Sequence, residues 1–204
     1  MRTFIFILLM SFAVFSSACD SEKSSDIEKS PTLTEKVNIE TTVLNVTREE
    51  AQAKLVELSA GLTVDYDDMK ERTYYRAVST DNRVIVMPYV LMDRDYNVVL
   101  IEHLQYIADH LISFRTLYIK SANQVKHFEY HNVKRISFDS EAYAGLMNSE
   151  VRETLKAAIN SGYVRVRLEG ENGYEEKELS NEEMNSIRQV FEVYEYFKNI
   201  KVVD

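Results

Sequence analysis

Asp93, Asp95 and Asn97 alternate at the spacing with which the oxygens of a calcium-binding loop turn toward one ion. Such a loop also needs Gly at its sixth position and Glu at its twelfth, and Val98 and Leu104 stand there instead. The spacing therefore predicts a polar turn, since Asp and Asn close turns through their own side chains. Asp65, Asp67 and Asp68 lack the same Gly and Glu and read as a solvated loop before Thr73. His127 and His131 lie four apart, with Glu102 and His103 in an earlier run. Zinc requires three or four such groups on one point, so these read as exposed strand histidines and no metal ligand is assigned. A hydrolytic triad is defined by geometry alone. Two or more of His103, His110, His127 and His131 meeting carboxylates in one cleft would mark a hydrolase. Arg165 and Arg167 alternate on one strand face, where guanidinium forks can grip a carboxylate or phosphate. Glu176 and Glu178 in the next run offer cross-strand partners instead.

Glycine usage excludes whole classes. The chain has five glycines, and only Gly170 and Gly173 lie close together. A phosphate-binding loop or dinucleotide fingerprint needs several in a short stretch, so that backbone N–H groups can approach phosphate. No G-x-S-x-G, H-E-x-x-H or C-x-x-C occurs, so no catalytic residue and no cofactor is assigned. Lys and Arg number 24 against 33 Asp and Glu, for a net charge of −9, which argues against a nucleic-acid partner. Thirteen Tyr and no Trp leave tyrosine as the aromatic binding residue. Tyr74, Tyr75, Tyr89, Tyr96 and Tyr106 are candidates for an exposed surface. Tyr75, Tyr89 and Tyr106, with Arg165 and Arg167, make up the binding set.

The elements that position these residues follow from periodicity. Thr47-x-x-Glu50 fits a capping box ahead of Ala51, Leu55, Leu58 and Leu62, a helical stripe that stops at Gly61. Residues 73–138 change to β texture, with Val, Ile, Tyr and Phe between short turn clusters. The runs are 73–78, 83–92, 98–107, 111–120, 124–130 and 134–138, too closely spaced for helical crossovers. Residues 84–92 are apolar on both faces, and Pro88 within them implies an edge or bulge. A second helix spans 149–160, capped by Asn148 or Ser149 and stopped by Gly162. Two strands, 163–169 and 174–179, flank the turn Glu171-Asn172-Gly173. Ser180-x-x-Glu183 opens a last helix with the stripe Met184, Ile187, Phe191, Tyr194 and Phe197. The prediction is an α+β fold. About seven or eight mostly antiparallel strands carry one N-terminal helix and two helices of the C-terminal half.

The N-terminus reads as an address. Arg2 precedes an apolar run from Phe4 to Phe15, and Ser16, Ser17 and Ala18 lead to Cys19, the one cysteine of the chain. The run falls short of the roughly 20 apolar residues of a membrane-spanning helix. This segment resembles the signal of bacterial lipoproteins, although Ser16 stands where those signals usually carry Leu. The resemblance implies cleavage after residue 18 and acylation of Cys19, which would attach the protein to a membrane. Residues 19–45 then form a Ser-, Lys- and Glu-rich tether with Pro31, and residues 46–204 a single domain. Gln105-Tyr106-Ile107-Ala108-Asp109, with Ile112 and Phe114 following, makes a QY-x-AD strand end. Glu169-Gly170, Tyr174 and residues 180–194 make an EG…Y…(S/T)-x-x-(E/Q)…Y ending. Together they resemble a group of bacterial exported proteins and lipoproteins, which implies export and transfers no activity.

These features lead to the expectation of a lipid-anchored protein on the periplasmic face or cell surface of a bacterium. It is expected to bind another envelope component or an incoming protein rather than catalyse. A small-ligand or lipid carrier with a dry cavity in its sheet, and a hydrolase with scattered catalytic residues, are the alternatives.

Overall fold

Three helix starts obey their caps. The computed structural model describes residues 43–80 and 83–203. Strand β1 (Leu44–Thr47) runs into helix α1 (Arg48–Leu58), where Thr47 and Glu50 form both halves of the capping box. Asn148 accepts from the Glu150 N–H at the start of α2 (Ser149–Asn160). Ser180 and Glu183 form a second complete box at α3 (Asn181–Lys198). Residues 1–42, which include the signal-like segment, Cys19 and most of the tether, lie outside the described residues, as do residues 81, 82 and 204.

Strands β2 (Thr63–Asp67), β3 (Arg72–Arg76), β4 (Val84–Val86), β5 (Tyr89–Asp93), β6 (Val98–Ile107), β9 (Lys134–Ser137) and β10 (Ser140–Leu146) form a seven-stranded antiparallel sheet. Its order is β2-β3-β5-β6-β10-β9, with β4 also on β6. A four-stranded antiparallel sheet is ordered β12-β11-β7-β8, from β7 (Phe114–Lys120), β8 (Val125–Glu129), β11 (Arg165–Gly170) and β12 (Gly173–Glu178). The short β13 (Ile200–Val203) pairs with β1 in parallel. Helix α3 packs on β3, β5 and β6, α2 packs on β7 and α3, and α1 packs on α3. One apolar core joins these layers, and the described residues form one compact unit. The fold is α+β.

The strand count exceeds the expected seven or eight. Pro88 divides the 84–92 run, because it brings no N–H to the ladder with β6. The Met87 N–H still donates to His103 O at 2.9 Å, and Pro88 O accepts from the Ala77 N–H at 3.1 Å. β2 corrects the loop expected around Asp65 and Asp67. Val64 and Tyr66 alternate with the two carboxylates, and Asp65 pairs with Arg76 of β3 at 2.6 Å. β10 carries Ser, Glu, Ala and Gly, poor strand formers that tertiary pairing overrides. β1 and β13 stabilise one another at the two ends of the domain, and β1 begins inside the stretch read as tether.

One buried ion pair holds the layers together. Lys177 of β12 donates to Glu183 at the start of α3 and to Val84 O of β4 at 3.4 Å, so it bridges the two larger sheets. Glu183 also accepts the Thr80 N–H at 3.0 Å and the Ser180 N–H at 2.9 Å. Burial alone would raise this carboxyl. The Lys177 hydrogen bond, the two backbone N–H groups and the Lys177 charge outweigh it and pull it down to about 2.

Candidate functional site

The loop 111–113 ahead of β7 is fixed from three sides. Gly170 lies so close that a Cβ there would sit 2.2 Å from Ile112 O and 2.3 Å from Ser113 O. Asn172 donates its N–H to Ile112 O at 3.1 Å and its side-chain amide to Leu111 O at 3.4 Å. The buried Glu141 of β10 accepts the Phe114 N–H at 3.2 Å, and the Ser113 and Ile112 N–H groups also turn toward it. Burial raises the Glu141 carboxyl, and these three N–H groups oppose the rise. Ser113 takes a left-handed φ of 55° to close this cradle.

The fixed loop forms one wall of an open groove of about 640 Å³. Leu111, Ser113, Phe114 and Arg115 line it together with Tyr130, His131, Val133 and Arg135, and Glu141 and Asn172 complete the lining. Arg115 pairs with Glu171 at 2.6 Å, both well exposed, an interaction that contributes little to stability. The groove runs beside β9, an edge strand that pairs with β10 alone among the described strands. All four β9 residues are exposed. Ile136 is 62% exposed and Phe138, just past the strand, 78%. Lys134 and Arg135 put positive charge on this edge of an acidic chain.

Tyr130 also borders a second cavity, of about 360 Å³, lined by Glu102, Phe128, Glu129, His131, Asn132, Tyr143, Leu146, Asn148 and Val151. Glu102 is 2% exposed, and its Oε1 accepts from the Tyr130 hydroxyl at 2.6 Å. Tyr130 meets Tyr143 edge-on, with ring centroids 4.6 Å apart. Burial pushes the Glu102 carboxyl up to about 7 despite the Tyr130 hydrogen bond, and it pushes Tyr130 up as well. A carboxyl raised from 4.5 to about 7 in the folded state contributes most below 4.5, and that contribution fades as pH rises through 7. Glu102→Gln keeps an acceptor for Tyr130 and removes the charge. It is expected to stabilise the domain by about 3 kcal/mol at pH 8 and hardly at all at pH 4, as read by denaturant unfolding at the two pH values.

The other sequence-derived candidates fall elsewhere. Tyr75 (7% exposed) and Tyr106 (1%) are core residues, which corrects their reading as binding aromatics. Both sit on the inward face of their strands, where alternation hides every second side chain. Tyr89 is half-buried against Tyr74, ring centroids 5.9 Å apart, beneath the Arg76 guanidinium. Arg167 donates from Nε and Nη2 to Glu176 at 3.3 and 3.0 Å and stacks 4.2 Å over Tyr174. Arg165 contacts Glu176 and Glu178 at 3.4 and 3.6 Å. Both guanidiniums are therefore engaged in a cross-strand ladder rather than presented to an anion.

Glu102 and His103 point to opposite faces of β6, so His103 cannot join the His131 cavity. It contacts Gln105 at 3.4 Å, and burial lowers its basicity. His127 packs against Tyr118. His131 is the histidine that meets carboxylates, Glu102 and Glu129 in one cavity and Glu141 in the other. Asp93 accepts the Asp95 and Asn97 N–H groups at 2.9 Å each, and the Asn97 side chain at 2.9 Å. Its oxygens therefore close a turn, in which Tyr96 takes φ 63°. Among the described residues no three His, Cys, Asp or Glu side chains are grouped to hold a metal ion. No described helix is long and apolar enough to cross a membrane.

The strand at 134–138 was read from the sequence, but its place at the sheet edge was not, and neither Glu141 nor Tyr130 was singled out. The signal for β9 was present, since Ile136 and Phe138 share one face of a short run. Nothing local distinguishes an exposed strand face from a covered one. Compared with protein-family models, with curated proteins and with solved structures, the chain matches none.

Proposed function

We propose that the protein is a binding module of the bacterial cell envelope, held to a membrane by acyl chains on Cys19. It engages an extended segment of another envelope protein or an incoming protein along β9. The observation that carries this reading is the β9 edge, whose open side bears exposed Ile136 and Phe138 and borders a groove with Arg115, His131 and Arg135 on its walls. An unpaired edge presents backbone N–H and C=O groups to a further strand, and alternate side-chain positions supply specificity. Positive charge along this edge favours a segment with acidic side chains. The polar walls of both cavities favour a binder over a carrier with a dry pocket. The single histidine in each favours it over a hydrolase built on paired histidines.

In-cell crosslinking and pull-down of the full-length protein test the reading. Wild type, Cys19→Ser and a double variant Ile136→Asp/Phe138→Asp are compared, with mass spectrometry of the N-terminal peptide. Both edge residues are exposed, so the double variant keeps its stability to within about 0.5 kcal/mol. The expected result is an acylated Cys19 in wild type, a specific partner recovered with wild type, and at least about tenfold less of it with the double variant. Equal recovery with the double variant removes β9 as the contact. An unmodified Cys19 removes the anchor.

A further inference from the structure

Beyond strand addition, and independently of it, we infer that the cavity around Glu102 binds a small molecule through a protonated primary amine. A nearly buried carboxyl contributes to the wall of a 360 Å³ cavity, and among the described residues Tyr130 is its one hydrogen-bond donor. Among the described residues neither Lys nor Arg lines this cavity. The charged and titratable groups facing Glu102 are Tyr130, Glu129 and His131 from β8 and the turn after it, and Tyr143 from β10. The neighbouring first turn of α2 contributes Asn148 and Val151, which carry no charge.

An ammonium supplies what the carboxyl lacks, a charged N–H donor for its remaining lone pairs. Phe128, Tyr130 and Tyr143 offer aromatic surface of the kind that attracts a cation. Asn132 and Asn148 also line the cavity and carry amide N–H donors, so the far end of the ligand should bear oxygen acceptors rather than a second cation. The volume suits a ligand at the small end of those that protein pockets hold. An amine bound beside Glu102 requires the ionised carboxylate, and burial keeps about half of this group protonated near neutrality. Binding should therefore tighten on the order of tenfold from pH 6 to pH 8, through proton loss from Glu102.

Isothermal titration of full-length protein in detergent with ethanolamine, phosphoethanolamine and glycine tests the site, with tetramethylammonium and acetate as probes that lack an N–H donor or a cation. The expected result is saturable binding of the primary amines at pH 8, about tenfold weaker at pH 6. Glu102→Gln should weaken it about 30-fold while the variant stays folded. Ile136→Asp/Phe138→Asp should leave it unchanged, which separates this site from the β9 edge. Phosphoethanolamine preferred over ethanolamine by tenfold assigns a lipid headgroup as the source, and equal affinities assign a free amine. No saturable binding of any primary amine at pH 8, or equal affinity in Glu102→Gln, overturns the inference. Binding of tetramethylammonium as tight as that of ethanolamine overturns it as well.

Discussion

Lys177→Met is expected to destabilise the domain by about 3–5 kcal/mol, because it strands the Glu183 carboxylate inside the protein. Glu183 is 2% exposed, and without Lys177 its charge is left with the N–H groups of Ser180 and Thr80 and the Ser79 hydroxyl at 3.4 Å. The same substitution frees β4 from β12, since Lys177 also donates to Val84 O. Adding Glu183→Gln removes the stranded charge, keeps an acceptor for the cap, and should recover most of the loss. Denaturant unfolding of the full chain measures both, and a loss below 1 kcal/mol for Lys177→Met contradicts the bridging role. Glu183 also shapes the acid response. A carboxyl held at about 2 in the folded state contributes stability above 4.5, and that contribution disappears as pH falls from 4.5 through 2. Glu102 acts oppositely between 4.5 and 7. These two groups together place maximum stability near pH 4.5 to 5.

Gly170→Ala is the second large effect, expected at about 3 kcal/mol. Its Cβ would collide with backbone atoms, Ile112 O at 2.2 Å, Ser113 O at 2.3 Å and Ser113 C at 2.5 Å. A flexible side chain could swing aside, but this loop is tied by Asn172 and by the Glu141 carboxylate. Relief must come from moving β11 away from the loop, which widens the groove beside β9. Gly173→Ala is the comparison. It has open space around its Cβ position but φ of 133°, so its cost comes from backbone strain alone and leaves the groove intact. Thermal unfolding reads the stability, and partner recovery reads the groove. Gly170→Ala should lower both, whereas Gly173→Ala should lower only the first. Unchanged stability in Gly170→Ala would contradict the close approach.

Gly170 also shows how a sequence pattern carries structure without naming a function. The Glu-Gly pair in the C-terminal ending marks the point where β11 passes under the loop 111–113. The Phe114 of the earlier motif follows that same loop and begins β7. The capping boxes at Thr47 and Ser180 were readable because their residues act within one turn of chain. β6 was readable from end to end because its Val-, Leu-, Ile- and Tyr-rich run is bounded by the turn residues at 93–97 and 109–110. β10 was not, because Ser140, Ala142 and Gly145 become strand only through pairing with β6. The candidate site was hidden for the same reason. Glu102, Tyr130 and Glu141 come from three separate runs, and what makes them notable is burial that no local pattern records. The tyrosine reading failed at Tyr75 and Tyr106 because composition counts aromatic rings without saying which face of a strand they occupy.

Photo-crosslinking from β9 in living cells tests the central claim most directly. A photoreactive amino acid is placed singly at Ile136 and Phe138 of the full-length protein, and at Val56 on the exposed side of α1 as the comparison. The account predicts one shared crosslinked protein from positions 136 and 138, absent from position 56 and lost when Cys19→Ser releases the anchor. The same crosslinks from position 56, or none from either β9 position, would contradict it.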